Sequence, residues 1–375
     1  MEKIGRRIRS NRAIAPMMMF ICIVIIGALL KIASSIVLPF TIAVLLTFVT
    51  YPLVKWLDKR RVPQFLSILL VITLLFAGLF MFGFILFTSG SNVIVAYYRF
   101  EHRITEIYLW IAQFFDLSFD ATLSIWENLW GQLGIRTFIR NFAVSFSYIS
   151  LNFVANAVLV ALFILFIFLE ANFFKEKLET AFGKRSARIN QIGRDLMTQV
   201  VRYLTAKFFI SLANGVIFAV AFHFIGLEFA IFWGLLQFML NFIPNLGSIA
   251  AGAAICIFAI VQFWPDPVPV IMVVAVVLGV NLILCNIFDP KIVGARVGIS
   301  PLVVLISLVF WGWIWGFAGM VLAVPMTVII KIVCENIPIL KPISILLGSR
   351  KSVNVKKAEQ ERIEREKAEQ EKTET

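Results

Sequence analysis

Residues 65–88 read Phe-Leu-Ser-Ile-Leu-Leu-Val-Ile-Thr-Leu-Leu-Phe-Ala-Gly-Leu-Phe-Met-Phe-Gly-Phe-Ile-Leu-Phe-Thr, with no charged side chain. Coiled as a helix, this run is about 36 Å long, enough to cross a bilayer core of roughly 30 Å. Similar runs recur at Val144–Leu169, Phe208–Ile225 and Val268–Ile287. Across all 375 residues, 60% are hydrophobic and 15% charged, with a mean hydropathy of +0.92. A soluble domain carries roughly 45–50% apolar and about 25% charged residues. The chain reads as an all-α polytopic membrane protein. Soluble enzymes, secreted domains and nucleic-acid binders are excluded.

Lys and Arg outnumber Asp and Glu by 34 to 22, a net charge of +12. The basic residues flank the apolar runs, so they set topology and meet anionic headgroups. Lys3, Arg6, Arg7, Arg9 and Arg12 precede the first run, and Lys55, Lys59, Arg60 and Arg61 follow the second. Both clusters are expected in the cytoplasm, so the chain between them crosses an even number of times. Residues 13–30 and 32–50 are the two arms, with the turn near Lys31, Ser34 and Ser35. No small-residue cleavage site follows the basic start, so the first segment is expected to stay uncleaved.

The resulting domain plan has a basic N-terminus (1–16), N-terminal membrane helices (17–88) and an extracytoplasmic amphipathic, aromatic region (89–143). A return helix (144–170) and a cytoplasmic amphipathic linker (171–206) follow, then a membrane core with broken helices (207–335) and a charged cytoplasmic tail (336–375). In the linker, Ile189, Ile192, Leu196, Val200, Tyr203 and Leu204 recur at helical spacing and the basic face is expected to touch headgroups. This helix is expected to run into the membrane at about Lys207, which at the end of the span is expected to snorkel to the surface. Crossings at 208–225, 229–242, 246–264 and 268–287 are joined by turn-like residues.

The last apolar run, residues 301–333, would be about 50 Å long as one helix. A single crossing would put the basic tail outside. A C-terminal helical hairpin bending near Trp313–Gly319 keeps it inside, either as a re-entrant loop or as two short spans. About eight transmembrane segments result, with both termini cytoplasmic.

Nothing reads as covalent catalysis or calls for a cofactor. His102 and His223 are the only histidines, and Cys22, Cys256, Cys285 and Cys334 lack metal-type spacing. Polar side chains inside apolar helices stand out instead: Asn214, Gln237, Asn241, Asn245, Asn281 and Asn286. Gln237 and Asn241 share a helical face. Such amides either hydrogen-bond between helices or line a solute pathway. Pro244, Gly247, Pro290, Pro301, Gly316, Gly319 and Pro325 are candidate helix breaks and gating points, since transporters bind solutes at broken helices. Asp289, with Lys291 and Arg296 nearby, is the candidate ion-coupling group.

Three stretches carry a resemblance. They are Phe288-Asp-Pro-Lys-Ile-Val-Gly-Ala-Arg-Val-Gly-Ile-Ser-Pro-Leu302, Phe310-Trp-Gly-Trp-Ile-Trp-Gly-Phe-Ala-Gly319 continuing through Leu322-Ala-Val-Pro-Met326, and Ile243-Pro-Asn-Leu-Gly247. With them the chain resembles the autoinducer-2 exporter family of bacterial permeases. The resemblance implies a homo-oligomeric inner-membrane protein of about eight segments. It implies a role in exporting autoinducer-2, with sodium/proton exchange in other members. Where the family often carries an acid before Ile-Pro-x-x-Gly, this chain has Asn241, which argues against cation coupling there.

The expected function is therefore a permease or exporter for a small polar solute, autoinducer-2 being one candidate. The expected partners are that solute, membrane lipids and further copies of the chain. A cation/proton antiporter using Asp289 and a membrane scaffold that transports nothing are the rivals.

Overall fold

The computed structural model describes residues 17–18, 21–22, 24–114, 135–183, 186–284, 298–337 and 340–349. The regular structure there is helical; one isolated antiparallel bridge joins Ile299 and Gly348. Residues 24–32 are helical and break at Ala33, beside the expected turn. The helices are α1 (Ser34–Lys59), α2 (Gln64–Phe114), α3 (Ile135–Phe182), α4 (Ser186–Ile225), α5 (Ala230–Leu240), α6 (Leu246–Phe263), α7 (Pro267–Ile283), α8 (Pro301–Asn336) and α9 (Lys341–Leu347). Five segments are long and apolar enough to cross a membrane, or six if the bent pair Asn156–Ala171 and Glu176–Phe182 forms one span. Two shorter apolar helices, α5 and α7, accompany them.

The chain forms two compact units. One comprises residues 1–48, 159–196 and 299–375; the other comprises 49–158 and 197–298.

The second unit is built on α4 to α7. Phe218 and Phe222 of α4, Trp233 of α5, Ile255 and Ala259 of α6, and Val273 and Val277 of α7 form its apolar core. Helix α4 stops in a Schellman motif. Gly226, at φ 85, is the left-handed residue. The Leu227 amide donates to the Phe222 carbonyl at 2.9 Å and the Gly226 amide to the His223 carbonyl at 3.2 Å, satisfying two carbonyls the helix end would leave open. Gln262, at the end of α6, latches this turn. Its Nε2 donates to the Gly226 carbonyl and its Oε1 accepts from the Glu228 amide, both at 2.8 Å.

The expected crossing at 229–242 is a shorter helix than its hydropathy suggests. Phe229 takes a left-handed φ of 58 and the helix ends at Leu240, about 16 Å in all. Helix α2 departs from expectation in the other direction. It runs unbroken from Gln64 to Phe114, through Gly78, Gly83 and the Ser89-Gly90-Ser91-Asn92 cluster that reads locally as a loop. Along it, Phe100 meets Phe258 edge-on at 5.6 Å and Trp110 meets Trp264 at 5.8 Å. The amphipathic linker resolves into the end of α3, a stop at Gly183 (φ 51), and the first half of α4.

In the first unit, α8 is two helical arms folded against each other. Gly316 (φ 61, ψ −139) interrupts it. Ser307 Oγ donates to the Ala323 carbonyl at 3.0 Å, whereas a straight helix would separate these residues by about 24 Å. The hairpin read from Gly312, Gly316 and Gly319 is present. At Gly319 an added Cβ would overlap the Trp311 carbonyl, so a glycine lets the arms meet. Pro301 opens the first arm at its N1 position, where the missing amide costs nothing. Pro325 lies buried in the second arm. Near the bend, Trp315 Nε1 donates to the Leu30 carbonyl at 3.3 Å, and Lys31 Nζ sits 4.2 Å from the Trp313 ring centroid.

Candidate functional site

One face of α4 carries Val200, Tyr203, Lys207, Ser211, Asn214, Phe218 and Phe222, all buried. Their three- and four-residue spacing keeps them on one stripe. It is polar from Lys207 to Asn214 and aromatic beyond. Helix α5 answers with Trp233, Gln237 and Asn241, again one turn apart. The two helices approach closely because both carry glycine. A Cβ on Gly215 would stand 2.7 Å from the Gly234 carbonyl, and one on Gly234 would stand 2.7 Å from the Ala219 Cβ. Small residues at such crossings let backbones pack where lipid offers no hydrophobic drive.

Asn241 ties three helices together. Its Nδ2 donates to Ser211 Oγ on α4 at 3.0 Å, and its Oδ1 accepts from Ser248 Oγ on α6 at 2.9 Å. One turn away, Gln237 Nε2 donates to Asn281 Oδ1 of α7 at 3.2 Å. The structure thus brings Asn241, Gln237, Asn281 and the α4 stripe into one unit. Asn214 is different. It is 0% exposed, yet neither Oδ1 nor Nδ2 has a hydrogen-bond partner. Gln237 Oε1 and Trp233 Nε1 are also buried without one. Leaving a buried polar atom unpaired costs about 1–3 kcal/mol, so these three side chains are held in the fold at a cost to its stability.

The turn between α5 and α6 explains Pro244 and Gly247. The Ile243 amide donates to the Leu240 carbonyl at 2.9 Å and the Gly247 amide to the Ile243 carbonyl at 3.2 Å. A Cβ at Gly247 would overlap the Leu240 carbonyl, so only glycine closes this turn. Asn245 is exposed at its tip with φ 61 and ψ −54, the centre of a γ-turn in which the Leu246 amide donates to the Pro244 carbonyl at 2.7 Å. Its placement is that of a turn residue. Asn286, Asp289, Pro290, Lys291 and Arg296 lie outside the described residues. Gly316, Gly319, Pro301 and Pro325 belong to the other unit.

Three features escaped the sequence reading. Lys207 is not a snorkelling end residue. Helix α4 runs through it, as the amphipathic linker reading expects, but only 2% of it is exposed. Ser211 and Ser248 are the partners of Asn241; spacing placed Ser211 on the Asn214 face, but nothing in sequence paired either serine with α5. Gly215 and Gly234 set the helix crossing, and their signal was a small residue in each of two consecutive apolar helices. Among the described residues, no group of three His, Cys, Asp or Glu side chains comes together.

The AI-2E family transporter profile matches residues 18–339. A protein of Borreliella burgdorferi, provisionally described as a transport protein, is 30% identical over 88% of this chain and 90% of its own length. A similarly described protein of Haemophilus influenzae is 30% identical over 87% of this chain and 94% of its own. The AI-2 transport protein TqsA of Escherichia coli is 29% identical over 87% of this chain and 93% of its own. The helical architecture of this chain and the match over residues 18–339 agree: the chain belongs to the AI-2E family of transporters.

Proposed function

We propose that this protein is a secondary permease for a small, neutral, polar solute that hydrogen-bonds to the buried amides of α4 and α5. The observation that carries this reading is Asn214, fully buried with both polar side-chain atoms unpaired. Asn214 offers two donor hydrogens and one acceptor, Gln237 Oε1 an acceptor and Trp233 Nε1 a donor. Hydroxyl and carbonyl groups of an uncharged solute satisfy that set. Asn241, Asn281 and Asn286 complete the pathway, while Pro244, Gly247, Pro290, Pro301, Gly316, Gly319 and Pro325 shape the breaks. Because TqsA is named for AI-2 transport, autoinducer-2 is the first solute to test.

The protein works as a multi-pass inner-membrane oligomer of about eight segments with both termini cytoplasmic, the arrangement the basic clusters favour. The first arm of α8, residues 301–315, is about 22 Å long, short of a roughly 30 Å core, which supports a re-entrant hairpin. The antiporter reading depends on Asp289, and among the described residues the buried polar set holds no carboxylate.

The test is uptake of labelled autoinducer-2 into proteoliposomes of purified protein, with and without sodium or proton gradients. The proposal expects movement down the solute gradient, lost in Asn214→Leu. Transport of the solute undiminished in that variant would refute the site.

A further inference from the structure

A groove of about 500 Å³ in the second unit lies between Pro52 of α1 and the α4 face bearing Met197, Thr198, Val201, Arg202 and Thr205. Its chemistry is divided. Pro52, Met197 and Val201 supply apolar wall. Thr198, Arg202 and Thr205 follow one another at helical spacing and are exposed, so a guanidinium and two hydroxyls share one edge. Among the described residues Arg202 makes no ion pair.

The depth of the groove is marked on α1. Beside Pro52, Lys55 Nζ sits 5.1 Å from the Tyr51 ring centroid, and Arg60 lies 4.3 Å from that of Trp56. Aromatic rings and cations alternating at a helix end are the signature of the headgroup layer. The Lys55, Lys59, Arg60 and Arg61 cluster makes this the basic side, which faces the anionic leaflet.

We propose that the groove binds one acidic phospholipid. Its phosphate lies on the Arg202 guanidinium, with Thr198 and Thr205 donating from either side, and its acyl chain runs along Pro52, Met197 and Val201. A planar guanidinium pairs with two phosphate oxygens at once. Free inorganic phosphate would leave the apolar wall uncovered, so the lipid is the occupant that uses the whole groove.

The test uses the full-length protein in detergent micelles, titrated with phosphatidylglycerol, with phosphatidylcholine of the same acyl chains, and with inorganic phosphate. Bound lipid is read by native mass spectrometry and stability by thermal melting. The proposal expects one phosphatidylglycerol retained per chain and a raised melting temperature, with neither effect from the other two. Arg202→Gln should weaken that binding roughly tenfold, the loss of one charge-assisted contact. Val201→Phe, which fills the groove without changing charge, should weaken it as well, whereas Arg103→Gln should leave it unchanged. Binding indifferent to both Arg202→Gln and Val201→Phe would overturn the site. So would equal weakening by Arg103→Gln, or competition by inorganic phosphate at the same concentration.

Discussion

Ser307 and Ala323 lie 16 residues apart in sequence but are joined by a 3.0 Å hydrogen bond from the serine hydroxyl to the alanine carbonyl. Thr327 Oγ1 also donates to the Ala323 carbonyl and lies within hydrogen-bonding reach of Ser307 Oγ, so the Ser307 hydroxyl hydrogen is shared between that carbonyl and Thr327. Two hydroxyls and one carbonyl thus clasp the arms of α8 in an apolar setting where water offers no substitute.

The clasp makes the hairpin directly testable. Ser307→Cys combined with Thr327→Cys, in a background with the native cysteines replaced, should cross-link within one chain under mild oxidation. A straight helix would hold these positions about 30 Å apart. Absence of the cross-link, read as unchanged gel mobility, would contradict the folded-back geometry.

The meeting of Gly215 and Gly234 predicts a contrast among glycines. Gly234→Ala places a methyl 2.5 Å from the Gly215 carbonyl and 2.7 Å from the Ala219 Cβ, an overpacking that should cost about 1–3 kcal/mol. Nothing lies within 4 Å of a Cβ at Gly78 or Gly83, so alanine there should leave stability unchanged or slightly raised. Thermal melting of the purified variants ranks them.

The chain end supplies a third prediction. The Ser300 amide donates to the Leu347 carbonyl at 3.1 Å, and Ile299 bridges Gly348, so α9 straps the start of α8. Deleting residues 350–375 spares this strap, and both stability and transport should survive. Deleting residues 337–375 removes it, and melting should shift down by several degrees. Equal melting of the two truncations would show that the strap holds nothing.

Much of this was legible in the sequence because membranes allow few solutions. The charge-free run at 65–88 fixed a helix, the basic clusters suggested sidedness, and Gly312, Gly316 and Gly319 marked where residues 301–333 had to fold back. The turns at Gly226 and Pro244 were legible as glycine and proline punctuation. Hydropathy overestimated the length of α5, because Phe229 bounds it with a left-handed φ and the turn after Leu240 closes it, while the run stays mostly apolar. It also misplaced Lys207, since a charge at the edge of an apolar run looks like a span end at the surface, whereas helix packing buries it. The amides were visible singly. That Asn241 is satisfied by Ser211 and Ser248 while Asn214 is left unpaired depends on how three helices pack, which no local pattern encodes.

That distinction separates two substitutions of the same kind. Asn241→Leu orphans the hydroxyls of Ser211 and Ser248 and should destabilise by about 1–3 kcal/mol. Asn214→Leu removes two atoms that are already unpaired and should raise stability by about 1 kcal/mol or more. Opposite signs in thermal melting are the expected result, and a loss of stability in both would mean that Asn214 is a structural amide.

The most direct measurement of the central claim pairs melting with transport on one variant. Asn214→Leu, purified and reconstituted, should melt higher than the parent protein and lose passage of labelled autoinducer-2, or of whichever neutral polar solute the parent carries. That pairing marks a residue kept for the solute at the expense of the fold. A variant that transports at the parental rate would contradict the account, whatever its stability.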